Sequence, residues 1–191
     1  MLLYILGLGS PTHPLPKKSY AAWPSTYQWE QSHGQEYLYA GPLFTHQLSH
    51  IWVDFRGIQD AFMRGKEIDY FENSWRATYL KRQYAIDNPL KFEHYGGSCW
   101  GLTASKGPGP DTKKVNGIER EFFDYIGRGA PYGPDDGTIA PWAVAASLPF
   151  APEIVLPALD YCIHDVKLTD SNRNGLKASF NPSYPSASGN Q

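Results

Sequence analysis

Three short stretches of this sequence hold side chains that could do chemistry. In HQLSHIWVDFR, residues 46–56, His46, His50 and Asp54 recur at every fourth position. On a helix that spacing stacks them on one stripe, and histidines four apart on a helix can share a metal ion. Gln47 stands where a metalloprotease helix would hold its glutamate base. Three readings of the stretch stay open. The residues are metal ligands, or one polar wall of a cleft, or histidines bonded to nearby carbonyls with Asp54 paired to Arg56.

The second stretch is Asp135-Asp136-Gly137-Thr138. Two acids just ahead of a helix are stabilised by its dipole and free amides, so capping is the plain reading. In a sugar-cleaving site the same position would aim a carboxylate into a pocket. Glycosidic hydrolysis needs one protonated and one ionised carboxyl, and neighbouring acids push their pKa values apart. The third stretch is CWGLTASKGPGP, where Trp100 sits in a glycine-framed loop. Its ring either lies flat on a sugar face or anchors a buried loop. GPGP lacks the Gly-Lys-Ser/Thr ending of a phosphate loop, and no Gly-x-Ser-x-Gly elbow occurs.

These residues need elements to position them. The spacing of Leu48, Ile51, Trp52, Phe55 and Phe62 predicts a helix over 46–62, with Thr45 as its N-cap. A second helix is predicted over 70–87, capped by Asp69 and ended by Asn88-Pro89. Phe71, Trp75, Thr78 and Tyr79 share one face of it, and Arg76, Lys81 and Arg82 offer a polar side. A third helix follows Thr138 as N-cap, with Pro141 in its first turn. The last is PEIVLPALDYCIHDV, with Ile154, Leu156, Leu159 and Ile163 turned inward. Residues 10–45 and 89–135 read as long loops, the second with a short helix at IEREFFDYI. No strand run stands out.

The opening MLLYILGL has no Lys or Arg ahead of its apolar run, as a signal peptide would need, and is too short to span a bilayer. It reads as the last turns of a buried helix, closed by Gly7 and Gly9 and stopped by Pro11. With 191 residues, 41% of them hydrophobic, the chain can bury a core without staples. A net charge of −2, with no long block of one sign, does not ask for nucleic acid or an anionic membrane as partner. Aromatic content is high, at 15%, and comes with 16 prolines and 18 glycines. That mixture fits ordered loops offering rings to a ligand, or an aromatic core. The two cysteines, Cys99 and Cys162, fit no zinc spacing; one disulfide is open to them, and two buried free thiols are the preferred reading, since nothing suggests a disulfide-dense scaffold.

Six blocks carry a family resemblance. LYILGLGSPTHPLP, PLFTHQLSHIWVDFRG, DYFENSWRAT, YAIDNP, CWGLTASKGP and DDGTIAPWAVAASLPFAPE resemble, in order, the glucoamylase-like domain family. That family includes bacterial β-1,2-glucanases of glycoside hydrolase family 144 and domains of cyclic β-1,2-glucan synthases. The resemblance implies an all-α fold, a partial (α/α)6 toroid with long aromatic-rich loops. It spans residues 1–168, followed by a polar tail over 169–191, loop or disordered. It further implies inverting hydrolysis of β-glucan, β-1,2-glucan first, with an oligo- or polysaccharide as partner. Asp136 and Asp54 are the expected catalytic carboxylates. His46, Gln47, His50, Arg56, Asn73, Trp100, Thr103 and Thr138 are expected to bind substrate, with no metal and no cofactor. Arg56 would orient Asp54 or a sugar hydroxyl, and Trp100 would stack.

The match also departs from the family. Relatives are about twice as long. They carry a Tyr-Asn-Glu group before the LLYILGLGS segment, whose Glu is a candidate acid, and further acids on an earlier helix. Their closing Gly-Phe-x-Asp-Ala-Phe-Asn stretch is represented here by GLKASFNPSYP, in which Phe180 and Asn181 fit and Lys177 and Ser179 differ. The resemblance therefore implies a truncated member, with a non-catalytic carbohydrate-binding remnant or an inactive product as the alternative. Its exposed helix faces are expected to invite self-association, and family members act in the periplasm or outside the cell.

Overall fold

A computed structural model describes residues 1–169 and 175–185. The chain forms two compact units. The first takes Met1–Tyr39 and Thr45–Ala77, and the second takes Ala40–Phe44 and the chain from Thr78 onward.

The first unit opens with α1 (Leu2–Leu8), which ends at Gly9, whose N–H donates to the Ile5 carbonyl at 3.0 Å. The expected helix is there, but no residue in it is buried. Leu3 is 72% exposed. The expected loop over 10–45 contains α2 (Lys17–Ala22) and a hairpin of β1 (Trp29–Ser32) and β2 (Gln35–Leu38). His33 and Gly34 form its two-residue turn, both at positive φ. This conformation matches the twist of the flanking strands.

The helix predicted over 46–62 does not form. Two 3-10 turns, Leu43–His46 and Leu48–Ile51, are followed by irregular chain and a short α3 (Ala61–Arg64). Apolar residues three apart serve a 3-10 turn as well as an α-helix. The Asp54 side chain captures the Arg56 N–H at 3.1 Å, and Gly57 adopts φ +70°, so the helix has no way through. Thr45 lies inside the first 3-10 turn rather than ahead of a helix, whereas Asp60 caps α3 by accepting from the Met63 N–H at 2.7 Å.

The helix predicted over 70–87 is α4 (Tyr70–Asp87). Asp69 caps it, accepting from the Glu72 N–H at 2.7 Å. Its buried positions are largely polar, Asn73, Ser74, Thr78 and Lys81, together with Ala77, Leu80 and Ala85. An apolar stripe at the expected Phe71, Trp75 and Tyr79 positions is therefore not what buries this helix.

The second unit holds the main correction to the fold class. The chain is mixed α/β, and the all-α toroid is replaced by helices with antiparallel strand pairs. Besides the first hairpin, β3 (Ala104–Lys106) pairs with β6 (Tyr125–Gly127), and β4 (Asp111–Val115) pairs with β5 (Ile118–Phe122). Asn116-Gly117 makes the turn of the latter at φ +51° and +82°. The segment IEREFFDYI, expected as helix, is thus strand, because that turn sends it back along DTKKV.

Next come α5 (Pro141–Ala145) and α6 (Pro152–His164), each with proline at its first position. Ala140, rather than Thr138, stands at the N-cap of α5. The inward stripe of α6 is Ile154, Val155, Ala158 and Cys162, while Leu156 and Ile163 face out. The core of this unit gathers Leu43, Phe92, Trp100, Phe122, Ile139 and Val155. Cys99 and Cys162 are both free and buried, and burial pushes the Cys99 thiol up to about 12.

The described part of the tail is tied into this unit. Phe180 exchanges two 2.9 Å backbone hydrogen bonds with Ile139, and Ser183 Oγ accepts from the Glu93 N–H at 2.8 Å. Residues 170–174 and 186–191 of the expected tail lie outside the described residues. No helix among the described residues is long and apolar enough to cross a membrane.

Candidate functional site

In the first unit the expected site residues part into a buried group and an open one. Asn73 and Ser74 turn inward from the start of α4. Asn73 Oδ1 accepts from the Leu38 N–H at 2.7 Å, and its Nδ2 lies 3.4 Å from His46 Nδ1. Ser74 Oγ lies 2.7 Å from the His46 carbonyl and 3.0 Å from His50 Nε2. His46 and Gln47 are buried in the turn. Burial pushes the His50 imidazole down to about 4, against the pull of Asp54 and Asp69. That ring is neutral at pH 7. The group bolts the 3-10 turns onto α4.

Asp54 and Arg56 form the open group. Their side chains are 64% and 59% exposed and meet at 3.1 Å. The guanidinium also lies 4.4 Å from the centre of the Phe71 ring, which limits where it can swing. His46, His50 and Asp54 thus point to Asn73, Ser74 and Arg56, respectively. Among the described residues no group of three or more His, Cys, Asp or Glu is placed to hold a metal.

The same unit contains a cavity of about 340 Å3 that the sequence did not announce. Tyr4, Ile5, Leu8, Val53 and Phe55 make its apolar wall. At its edge Asp60 Oδ2 accepts from the hydroxyls of Tyr20 and Tyr70. Burial is the first cause that raises both phenols above their ordinary range; Asp60 raises both further, while the bond between them raises Tyr70 and draws Tyr20 back. The members lie 40 and 10 residues apart along the chain, so no spacing could have revealed the cluster.

In the second unit Asp136 is locked away. Its carboxylate takes a two-pronged contact from Arg128, Nε to Oδ1 and Nη2 to Oδ2, both at 2.7 Å. Neither side chain has any exposure. Asp136 also accepts from the Phe123 N–H at 2.9 Å and the Thr138 N–H at 3.1 Å. Burial works to raise its pKa, but Arg128 and the Phe123 amide prevail and hold it below the usual carboxylate range. Arg128 further donates to the carbonyls of Ser105 and Phe123, at 2.5 and 2.9 Å. Sequence reasoning missed Arg128 altogether. The acidic doublet, whose Asp136 lies eight residues further on, was the available signal, because a carboxylate that turns inward needs a cation.

Asp135 is the member of the doublet left half-buried rather than sealed. Tyr95 donates to its Oδ1 at 2.7 Å, Tyr84 to its Oδ2 at 3.1 Å, and the Gly137 N–H to Oδ1 at 3.0 Å. Burial raises its pKa, aided by Asp136, and outweighs those three donors. Gly137 makes the turn possible. Its φ is +85°, and a Cβ there would stand 2.7 Å from the Phe92 ring.

The remaining expected residues are interior. Trp100 is 1% exposed, so neither face of its ring is open, and its indole N–H has no hydrogen-bond partner among the described residues. Thr103 Oγ1 accepts from the Phe44 N–H at 3.1 Å, fastening Ala40–Phe44 to this unit. Thr138 Oγ1 accepts from Asn181 Nδ2 at 3.0 Å, and that amide also reaches the Asp136 carbonyl at 2.8 Å.

Comparison with known proteins adds identity to this geometry. The model of the Glycoamylase family, described as "Putative glucoamylase", matches residues 1–190. Over 185 residues the chain is 25% identical to the exo β-1,2-glucooligosaccharide sophorohydrolase (non-reducing end) of Parabacteroides distasonis, covering 83% of this chain and 23% of that protein. A solved structure from Bacteroides uniformis with the same two-word description is 30% identical, with a TM-score of 0.78. The alignment covers 95% of this chain and 41% of that one. The endo-β-1,2-glucanase of Chitinophaga pinensis, solved with sophorotriose and glucose, is 26% identical at a TM-score of 0.78, covering 95% and 42%. The chain spans less than half the length of each of these relatives.

Proposed function

Because the chain belongs to the Glycoamylase family, we propose that it is part of a glycan-hydrolysing domain acting on β-1,2-linked glucan. The substrate class comes from the activities of the similar β-1,2-glucan hydrolases. The single observation that carries a hydrolytic reading is the division of labour within the acidic doublet. Asp136 is spent on Arg128, while Asp135 is part-open with a raised pKa. A carboxyl that keeps its proton to higher pH than an ordinary one is suited to protonating a glycosidic oxygen.

In this reading Asp135 gives its proton to the leaving oxygen as the bond to the anomeric carbon breaks. Asp136, Arg128 and Thr138 hold the turn that presents it. Within the first unit, Asp54, open and steered by Arg56, is a separate candidate to meet a sugar hydroxyl. Trp100 and Thr103 serve as interior frame of the second unit, and His46, Gln47 and Asn73 as that of the first.

The test pairs calorimetry on a β-1,2-gluco-oligosaccharide with a reducing-sugar assay on β-1,2-glucan. Asp135→Asn is expected to cut turnover about a hundredfold or more while leaving the melt intact. Tyr95→Phe removes a donor that favours the charged form, so Asp135 holds its proton to higher pH. The alkaline limb of the rate profile is then expected to move up. Full turnover by Asp135→Asn, or an unmoved limb, would reject the assignment. The short span relative to the relatives favours one second reading, a saccharide-binding segment without catalysis. Binding without turnover in the unaltered chain would select it.

A further inference from the structure

The turn-and-loop stretch that was expected to be a helix presents an unusual outer face. Exposure alternates along it: Trp52, Asp54 and Arg56 are open, Val53 is half-buried and Phe55 is buried. Val53 and Phe55 reach inward to the apolar cavity. The indole of Trp52 is 71% exposed, although tryptophan is among the side chains that gain most from burial.

The backbone beneath that indole is held in place. Its own N–H donates to the Ser49 carbonyl at 3.3 Å. His50 is fixed by Ser74 at 3.0 Å and packs edge-on against Phe55, with ring centres 4.9 Å apart. On the far side Asp54 and Arg56 are paired, and Arg56 rests on Phe71. A rigid stretch therefore offers, within five residues, a flat apolar ring, a carboxylate and a guanidinium. That is the chemistry a pyranose asks for, a ring against its C–H face and charged hydrogen-bonding groups for its hydroxyls.

We propose that Trp52 is a saccharide-binding residue, its indole stacking on a glucosyl unit whose hydroxyls meet Asp54 and Arg56. The proposal rests on the glucan reading for its substrate class. It adds the residue that gives this face its affinity, in a stretch whose apolar spacing had marked Trp52 for the core.

The probe is sophorotriose, with cellotriose and laminaritriose beside it. Binding is followed by calorimetry and by protection of tryptophan fluorescence from acrylamide. Trp52→Ala is expected to weaken saccharide binding about five- to tenfold and to remove the protectable fluorescence. Trp52→Phe keeps a stacking ring and is expected to stay within about threefold. Where turnover is measurable, the loss falls on KM with kcat little changed. The melting curve of each variant reports its folding, and so open a position is expected to leave it unmoved.

If β-1,2-glucan is cleaved yet Trp52→Ala binds as the unaltered chain does, the platform is wrong and the glucan reading stands. If the chain holds another trisaccharide through Trp52 without touching β-1,2-glucan, the platform stands and that reading falls. If Trp52→Ala instead abolishes self-association and leaves saccharide binding alone, the face is a protein contact and the proposal is overturned. Binding of no saccharide at all overturns both.

Discussion

A guanidinium shut away from water must find acceptors for its N–H groups, and Arg128 finds them in Asp136 and the carbonyls of Ser105, Phe123 and Asp124. Removing it would leave the Asp136 carboxylate buried and uncompensated. Arg128→Leu is therefore expected to cost about 3–5 kcal/mol of unfolding free energy, measured by urea denaturation. Arg128→Lys should fare little better, since an ammonium cannot supply the two-pronged contact. The exposed Arg56–Asp54 pair makes the opposite case: Asp54→Ala is expected to cost under about 1 kcal/mol. The same chemical pair thus does two jobs, and burial tells them apart. The two acids of the doublet were visible in the sequence as candidates. Which of them faces inward was not, because that depends on Arg128 arriving from the end of β6 to claim one of them.

Two glycines separate what a turn needs from what packing needs. Gly117 sits at φ +82° with open space where a Cβ would go. Gly117→Ala is expected to cost about 1 kcal/mol from backbone strain alone. Gly137 has the same kind of φ and also the buried Phe92 ring at 2.7 Å, so Gly137→Ala is expected to cost clearly more by the same denaturation assay. Equal costs would show that Phe92 yields freely. Helix α4 was legible to its ends because its start and stop are local, Asp69 on the Glu72 amide and Asn88 in the left-handed region. The hairpins had equally local signals, His33-Gly34 and Asn116-Gly117. Proline and aromatic richness masked them, and strand pairs so short carry little alternation. The stretch over 46–62 misled for a different reason. Three-residue spacing does not distinguish a 3-10 turn from an α-helix, and the Asp54 and Gly57 contacts that stop the helix are read only in space.

At the scale of the whole chain, apolar surface is the feature with consequences in solution. Leu3, Leu6, Ile51 and Ile58 of the first unit are all more than half exposed. Such surface associates in water. The chain made by itself is expected to sediment as oligomers whose size grows with concentration, and to bind a dye that reports apolar patches. A monodisperse monomer across a tenfold concentration range would contradict this. The second unit is finished differently. Its closing contacts come from residues 180–184, where Phe180 pairs with Ile139, Asn181 holds the Asp136 carbonyl and Tyr184 donates to Asp111 at 2.7 Å. The ribosome delivers those residues after nearly everything they fasten. During synthesis, then, the acidic turn goes without its Asn181 clasp until that residue has been added and has left the ribosome.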